Sequence, residues 1–104
     1  MLAIARLCAS HNVLFAPHNP TGPIAHLASI QTCAAAPEVL WLEHQWSETP
    51  RFDELVGGDV APLVDGSFVA PQSPGLGAAL VRAVAARYPY VILPRDANLD
   101  ERLG

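Results

Sequence analysis

Apolar residues recur with helical spacing in two stretches of the chain. Within residues 1–11 they fall at positions i, i+3, i+4 and i+7, which places them on one face of a helix. These residues are Met1, Ile4, Ala5 and Cys8. A second helix is predicted over residues 23–35, where Pro23 suits the first turn and Pro37 closes the segment.

Two short, continuous apolar runs flank the second predicted helix. They cover residues 13–16 and 39–42 and are typical of strands buried on both faces, as in a parallel sheet. The order strand, helix, strand describes a βαβ unit with a right-handed crossover and parallel strands. The pattern therefore predicts the α/β fold class.

The pattern becomes polar and irregular over residues 44–62, with a short helix predicted near residues 52–56. The dipeptide Asp65-Gly66 lies between apolar residues and is a hairpin signal. Helical spacing of apolar residues from Leu76 onward then predicts a third long helix that ends at about residue 87.

Composition narrows the class of protein. The chain has 104 residues, enough for one domain at most, and 51% of them are hydrophobic. A mean hydropathy of +0.25 is high for a small soluble domain, so we expect the chain to bury surface against something larger. The net charge is −4, lysine is absent and the six arginines are scattered, which argues against a nucleic-acid partner.

Cysteine usage and the longest apolar runs bear on location. Cys8 and Cys33 do not form a CxxC pair, and both are expected to be buried free thiols, as in a reducing cytoplasm. We therefore expect a cytoplasmic protein. Residues 1–10 contain Arg6 and do not resemble a signal peptide, and no apolar run reaches membrane-spanning length.

The candidate site consists of His18 and Glu43. Each follows one of the two apolar runs, and parallel strands present the residues after their carboxyl ends at the same edge of the sheet. Adjacent strands lie only about 4.8 Å apart, so both side chains can reach one site. A titratable base beside a carboxyl group is what proton-transfer chemistry requires.

Plainer readings stay open at this point. Polar residues after short apolar runs occur by chance, and His18 could cap the next helix while Glu43 is a solvated strand end. The four histidines have spacings of 7, 8 and 18, which match no compact zinc pattern, so no metal ligand is assigned to the chain. His11 and His26 are expected at the surface, and His44 should point to the opposite side of its strand from Glu43.

Three motifs resemble the mandelate racemase and muconate lactonizing enzyme family. The first is similar to the seventh-strand pattern A-P-H-x-P-x-G-P-I-A of the galactonate dehydratase type, and the second to the eighth-strand motif. The third is similar to the hairpin that returns to the N-terminal capping domain. In this chain they are Ala16-Pro17-His18-Asn19-Pro20-Thr21-Gly22-Pro23-Ile24-Ala25, then Leu42-Glu43-His44-Gln45, then Val64-Asp65-Gly66 with Pro74-Gly75-Leu76-Gly77.

The resemblance implies roles for both candidate residues. His18 would be the histidine that exchanges a proton at the carbon next to a carboxylate, or protonates a departing hydroxyl. Glu43 would hydrogen-bond the substrate carboxylate as that group gains charge, which a neutral carboxylic acid can do. The implied function is that of a Mg²⁺-dependent dehydratase acting on a sugar acid, with racemase or cycloisomerase activity as the alternative.

The resemblance also implies what the chain lacks. It would form the last two βα units of a (β/α)8 barrel over residues 1–60, the hairpin and helix over residues 61–88, and a tail over residues 89–104. The Mg²⁺ ligands of full-length relatives lie on barrel strands outside this chain, and those relatives are expected to be homo-oligomers. Alone, the chain is expected to be inactive and unstable, or a non-catalytic relic or interaction fragment.

Overall fold

The computed structural model describes residues 1–45 and 51–89, which contain four helices and four short strands. The helices are α1 (Leu2–Ser10), α2 (Pro23–Ala35), α3 (Arg51–Glu54) and α4 (Arg82–Ala85). The strands are β1 (Val56–Gly58), β2 (Leu63–Val64), β3 (Ser67–Phe68) and β4 (Ala78–Leu80). Both helices predicted from apolar spacing in the first third of the chain are confirmed as α1 and α2.

Helix α2 is the central element. It begins at Pro23, directly after an extended Gly22, so the missing proline N–H costs no helical hydrogen bond. It ends at Ala35, and the following Ala36 adopts the extended conformation that is favoured before a proline. Its inner face buries Leu27 and Ile30 together with polar residues described below.

The two predicted strands meet in parallel but pair only briefly. Phe15 and Val39 form an isolated parallel bridge, and Leu40 donates its N–H to the carbonyl of Phe15 at 2.9 Å. Phe15 is buried, whereas Leu14 and Trp41 are 55% and 67% exposed. The expected burial on both faces is wrong for these residues, since side chains in both runs are more than half exposed.

The long helix predicted from Leu76 onward is wrong. Residues 78–80 instead form β4, which pairs antiparallel with β1 from Val56 to Gly58. Gly77 has φ +83°, a left-handed conformation that a continuing right-handed helix excludes. Only Arg82–Ala85 is helical in this region.

Strands β2 and β3 pair antiparallel around Asp65 and Gly66, with Val64 opposite Ser67. Both turn residues have positive φ, 48° and 77°, as a two-residue type I′ turn requires. The short helix expected near residues 52–56 is present as α3. Of the tail predicted over residues 89–104, only Pro89 lies within the described residues.

The described residues have a small apolar core of four side chains: Ala5, Phe15, Leu27 and Ile30. Cys8 and Cys33 are both free and half-buried, and burial raises the pKa of the Cys33 thiol. Within residues 1–45 and 51–89, none of the helices has the length and apolar character needed to cross a membrane.

Candidate functional site

The structure brings His18 and Glu43 together. The parallel contact between the two runs continues past the bridge, where the N–H of Glu43 approaches the carbonyl of Pro17 at 3.4 Å. This backbone contact aligns the residues that follow each run. As a result Nδ1 of His18 contacts Oε2 of Glu43, although the residues are 25 positions apart in sequence.

Glu43 receives a second contact from the same loop. The backbone N–H of Asn19 donates to Oε2 of Glu43 at 3.0 Å, so one carboxylate oxygen faces two donors. With Nδ1 of His18 directed at the carboxylate, Nε2 is the nitrogen left for other chemistry. The His18 side chain is 74% exposed, so a small molecule can reach it.

The pair borders a shallow cavity of about 430 Å³. Its walls are formed by Ala16, Pro17, His18, Trp41 and Glu43. An accessible imidazole nitrogen, oriented by a carboxylate through its other nitrogen, can take up and return a proton. The arrangement is therefore suited to acid–base chemistry on a small molecule.

Behind this pair lies a buried polar cluster that the sequence reasoning missed. Asn19, His26 and Ser29 are each only 4% exposed. Nδ2 of Asn19 lies 2.7 Å from Nδ1 of His26, and Oδ1 of Asn19 lies 3.0 Å from the Thr21 hydroxyl. The cluster connects the loop that carries His18 to the inner face of α2.

The expectation that His26 lies at the surface is wrong. Burial and the neighbouring His44 ring lower the pKa of His26 to about 4, so the imidazole is neutral at pH 7. A sequence signal for this burial exists, because His26 precedes the buried Ile30 by four residues and so shares its helix face.

His44 lies away from Glu43, as strand alternation predicts. Its ring centroid is 4.4 Å from that of His26 and 5.0 Å from that of Phe68. His44 therefore belongs to the packing between α2 and the hairpin. His11 is exposed at the end of α1, as expected.

The residues present do not fit a magnesium site. Within the described part of the chain, no three His, Cys, Asp or Glu side chains are grouped so that they could hold a metal. The candidate site offers one carboxylate and one imidazole, whereas Mg²⁺ prefers an octahedron of oxygen ligands. No catalytic step through a metal is assigned to this chain.

A histidine and a carboxylate that follow two parallel, helix-connected segments are typical of α/β enzymes, whose sites lie beyond the carboxyl ends of the strands. The profile of the family described as "enolase C-terminal domain-like" matches residues 1–84. The chain belongs to this family, and its α/β fold is part of a TIM barrel.

Two curated relatives are sugar-acid dehydratases. The chain is 28% identical over 87 residues to the D-gluconate dehydratase of Thermoproteus tenax, which covers 84% of this chain. It is 35% identical over 77 residues to the D-xylonate dehydratase of Haloferax volcanii, which covers 74% of this chain. In each case the match spans 18% of the relative, so this chain represents about a fifth of their length.

Solved structures agree with the family assignment. A mandelate racemase/muconate lactonizing enzyme from Jannaschia sp. CCS1 superposes with a TM-score of 0.78 at 33% identity, covering 88% of this chain and 23% of its own. A candidate L-alanine-DL-glutamate epimerase from Burkholderia xenovorans strain LB400, bound to magnesium and fumarate, superposes with a TM-score of 0.76 at 25% identity. The match covers 84% of this chain and 21% of the epimerase chain.

Proposed function

We propose that this chain supplies His18 and Glu43 to the active site of an acid-sugar dehydratase that acts on aldonates. The contact between these two side chains, at the edge of the cavity, is the observation on which the proposal rests. The two dehydratase relatives support this reaction over others of the family. The likeness covers about a fifth of each relative, so the activity is assigned to an assembly larger than this chain.

The reaction begins at the carbon next to the substrate carboxylate. The α C–H bond breaks, the proton passes to a base and the electron pair moves into the carboxylate as an enediolate. That pair then expels the β-hydroxyl, which takes up a proton and leaves as water. The remaining enol becomes a 2-keto-3-deoxy acid.

His18 is the proton carrier in this scheme. Its Nδ1 faces Glu43, so the reacting nitrogen is Nε2, which either receives the α-proton or delivers a proton to the departing hydroxyl. The contacts of Glu43 with His18 and with the Asn19 backbone both use Oε2. We therefore assign Oε1 to the substrate carboxylate. When Oε1 carries the proton of a neutral carboxyl group, it donates a hydrogen bond that strengthens as negative charge develops on the substrate.

Magnesium enters the proposal only through relatives. The epimerase neighbour holds magnesium with fumarate, and a bound Mg²⁺ would stabilise the enediolate. The described residues of this chain do not supply its ligands. We assign those ligands to the part of such enzymes that this chain does not match.

The second candidate function is that of a racemase or epimerase with the same fold and the same two site residues. The epimerase neighbour favours it, because α-proton removal followed by return of a proton needs the same histidine and carboxylate. The two candidates differ in one bond, since only dehydration breaks the β C–O bond. A non-catalytic fragment is the third possibility and predicts no reaction at all.

A fusion enzyme tests the proposal. The full 104-residue chain replaces the matched 87-residue segment of the Thermoproteus tenax dehydratase, and the fusion is assayed with D-gluconate for 2-keto-3-deoxy acid. We expect His18→Asn to lower kcat by roughly 10²- to 10⁴-fold, the usual contribution of a general acid–base group. Glu43→Gln should also lower kcat, while His11→Gln, at an exposed histidine outside the site, should leave it unchanged.

Proton nuclear magnetic resonance in D₂O separates the alternatives. Loss of both α-proton exchange and dehydration in His18→Asn assigns His18 as the base, whereas exchange without dehydration assigns it as the acid. Exchange with inversion and no keto acid would identify the epimerase candidate. A folded, active fusion that is indifferent to both His18→Asn and Glu43→Gln would refute the proposed function.

A further inference from the structure

Asn19 belongs to two contact networks at once. Its backbone N–H reaches the Glu43 carboxylate at 3.0 Å, and it is the residue directly after His18. Its side chain instead points into the protein, where Nδ2 lies 2.7 Å from Nδ1 of His26. The Asn19 side chain therefore anchors the segment that carries His18, and the Asn19 backbone contacts Glu43 from the same segment.

The buried side-chain amide of Asn19 has hydrogen-bond partners for both its oxygen and its nitrogen. Oδ1 lies 3.0 Å from the Thr21 hydroxyl and 3.4 Å from the Ser29 hydroxyl. A buried amide that lost these contacts would carry an uncompensated desolvation cost, so the side chain is held in one orientation. The backbone of Asn19 is fixed with it, because the amide is attached through only two rotatable bonds.

The orientation of the Asn19 amide indicates which tautomer His26 adopts. The NH₂ group of Asn19 donates only, so Nδ1 of His26 must accept and the ring hydrogen lies on Nε2. A protonated ring would present a hydrogen at Nδ1 and break this bond. The lowered pKa of His26 is consistent with a ring that stays neutral in the pH range where the contact is needed.

We propose that Asn19 and His26 are positioning residues, which hold the His18–Glu43 pair in register through the buried amide–imidazole hydrogen bond. This inference rests on the proposed function for its kinetic consequence. The hydrogen bond itself is local, since its members lie within residues 19–29. It can therefore be examined whether or not the fusion enzyme turns over.

The first test uses the fusion enzyme and a conservative rescue. His26→Phe removes the acceptor and keeps an aromatic ring in the packing with His44 and Phe68. We expect kcat to fall roughly 10- to 100-fold with KM within about threefold, since a small misplacement of reacting groups costs rate more than binding. His26→Gln, whose amide oxygen can accept from Asn19, should recover most of the lost kcat.

Kinetic outcomes separate positioning from simple destabilisation. Equal losses in His26→Phe and His26→Gln, tracking a fall in the melting temperature, would show a structural role and overturn the inference. So would wild-type kcat in His26→Phe. If His18→Asn is also fully active, the proposed function has failed, and the second test alone decides the hydrogen bond.

The second test needs no activity. It uses ¹⁵N-histidine labelling of the folded fusion enzyme, in which the His26 signals are assigned by their loss in His26→Gln. We expect His26 to show an unprotonated Nδ1 and a protonated Nε2, and Asn19→Ala to return it to the averaged tautomers of a solvated ring. Averaged His26 signals in a fusion enzyme that unfolds cooperatively, or no change in Asn19→Ala, would overturn the inference.

Discussion

At the scale of single residues, the neutral imidazole of His26 links folding to pH. Its pKa is lowered to about 4 in the folded chain, whereas a histidine in an unfolded chain titrates near 6.5. Between these values the unfolded state binds more protons, so the free energy of unfolding falls as pH drops from 6.5 to 4 and is level below 4. The total loss is at most about 3 kcal/mol.

Replacing His26 by Phe should remove this pH dependence while leaving the other titrating groups in place. The measurement is the difference in unfolding midpoint between pH 7 and pH 4.5, taken in the fusion enzyme with His26 and with Phe at that position. We expect the wild-type drop to be the larger. Identical drops in the two proteins would mean that His26 is not held neutral by the fold.

The candidate pair could be predicted from sequence, and the cluster behind it could not. His18 and Glu43 each follow an apolar run, and a parallel pairing needs no further information to place them side by side. The burial of Asn19 depends on the path of the loop after His18 and on the face that α2 turns inward. Neither the loop path nor the buried face of α2 can be predicted from the sequence around Asn19, which shows only a polar residue between two prolines.

At the scale of elements, the pairing of β1 with β4 depends on Gly77. Its φ of +83° suits glycine, and a Cβ there would lie 2.8 Å from the carbonyl oxygen of Asp59 and collide with Pro71. The N–H of Asp59 donates to the carbonyl of Gly77 at 2.8 Å, so this close approach is part of the strand pairing. Asp59 also accepts from the backbone of Gln72 and Ser73.

We therefore expect Gly77→Ala to break the pairing of β1 with β4. Gly75→Ala is the matched control, because Gly75 has φ +74° but nothing near its Cβ position, which leaves only the conformational cost of about 1 kcal/mol. Hydrogen exchange of the Val81 amide, which donates to Leu55 at 2.8 Å, reports the pairing. Its protection should be lost in Gly77→Ala and largely kept in Gly75→Ala, and equal protection in both would contradict this account.

The same pairing explains why the third long helix was mispredicted. Apolar residues at Leu76, Leu80 and Val84 have helical spacing, but periodicity reports only local preference. The competing partner, Val56–Gly58, pairs with residues at least twenty positions away and offers backbone hydrogen bonds. The hairpin could be predicted because its signal, Asp65-Gly66, is local and its two positive φ angles suit those residue types.

At the scale of the whole molecule, the parallel segments expose apolar side chains that the fold does not cover. Leu14 is 55% exposed, Leu40 45% and Trp41 67%, and Ile4 and Leu7 on α1 are 58% and 61% exposed. An apolar surface of this kind on a monomer favours association or aggregation. The purified chain should therefore bind a hydrophobic dye and unfold over a broad temperature range, and a sharp cooperative transition would contradict this.

A stronger test of this apolar surface compares the effect of the same substitutions in the isolated chain and in the fusion enzyme. Changing both Leu14 and Leu40 to serine should raise the solubility of the isolated chain, because it removes apolar groups from contact with water. In the fusion enzyme the same change should lower the melting temperature, since neighbouring barrel segments would bury those positions. Val69→Ser, on the hairpin side at 52% exposure, is the control and should have little effect in either protein. If the double change stabilises both proteins, these side chains are ordinary surface residues and the exposed face is not an interface with the rest of a barrel.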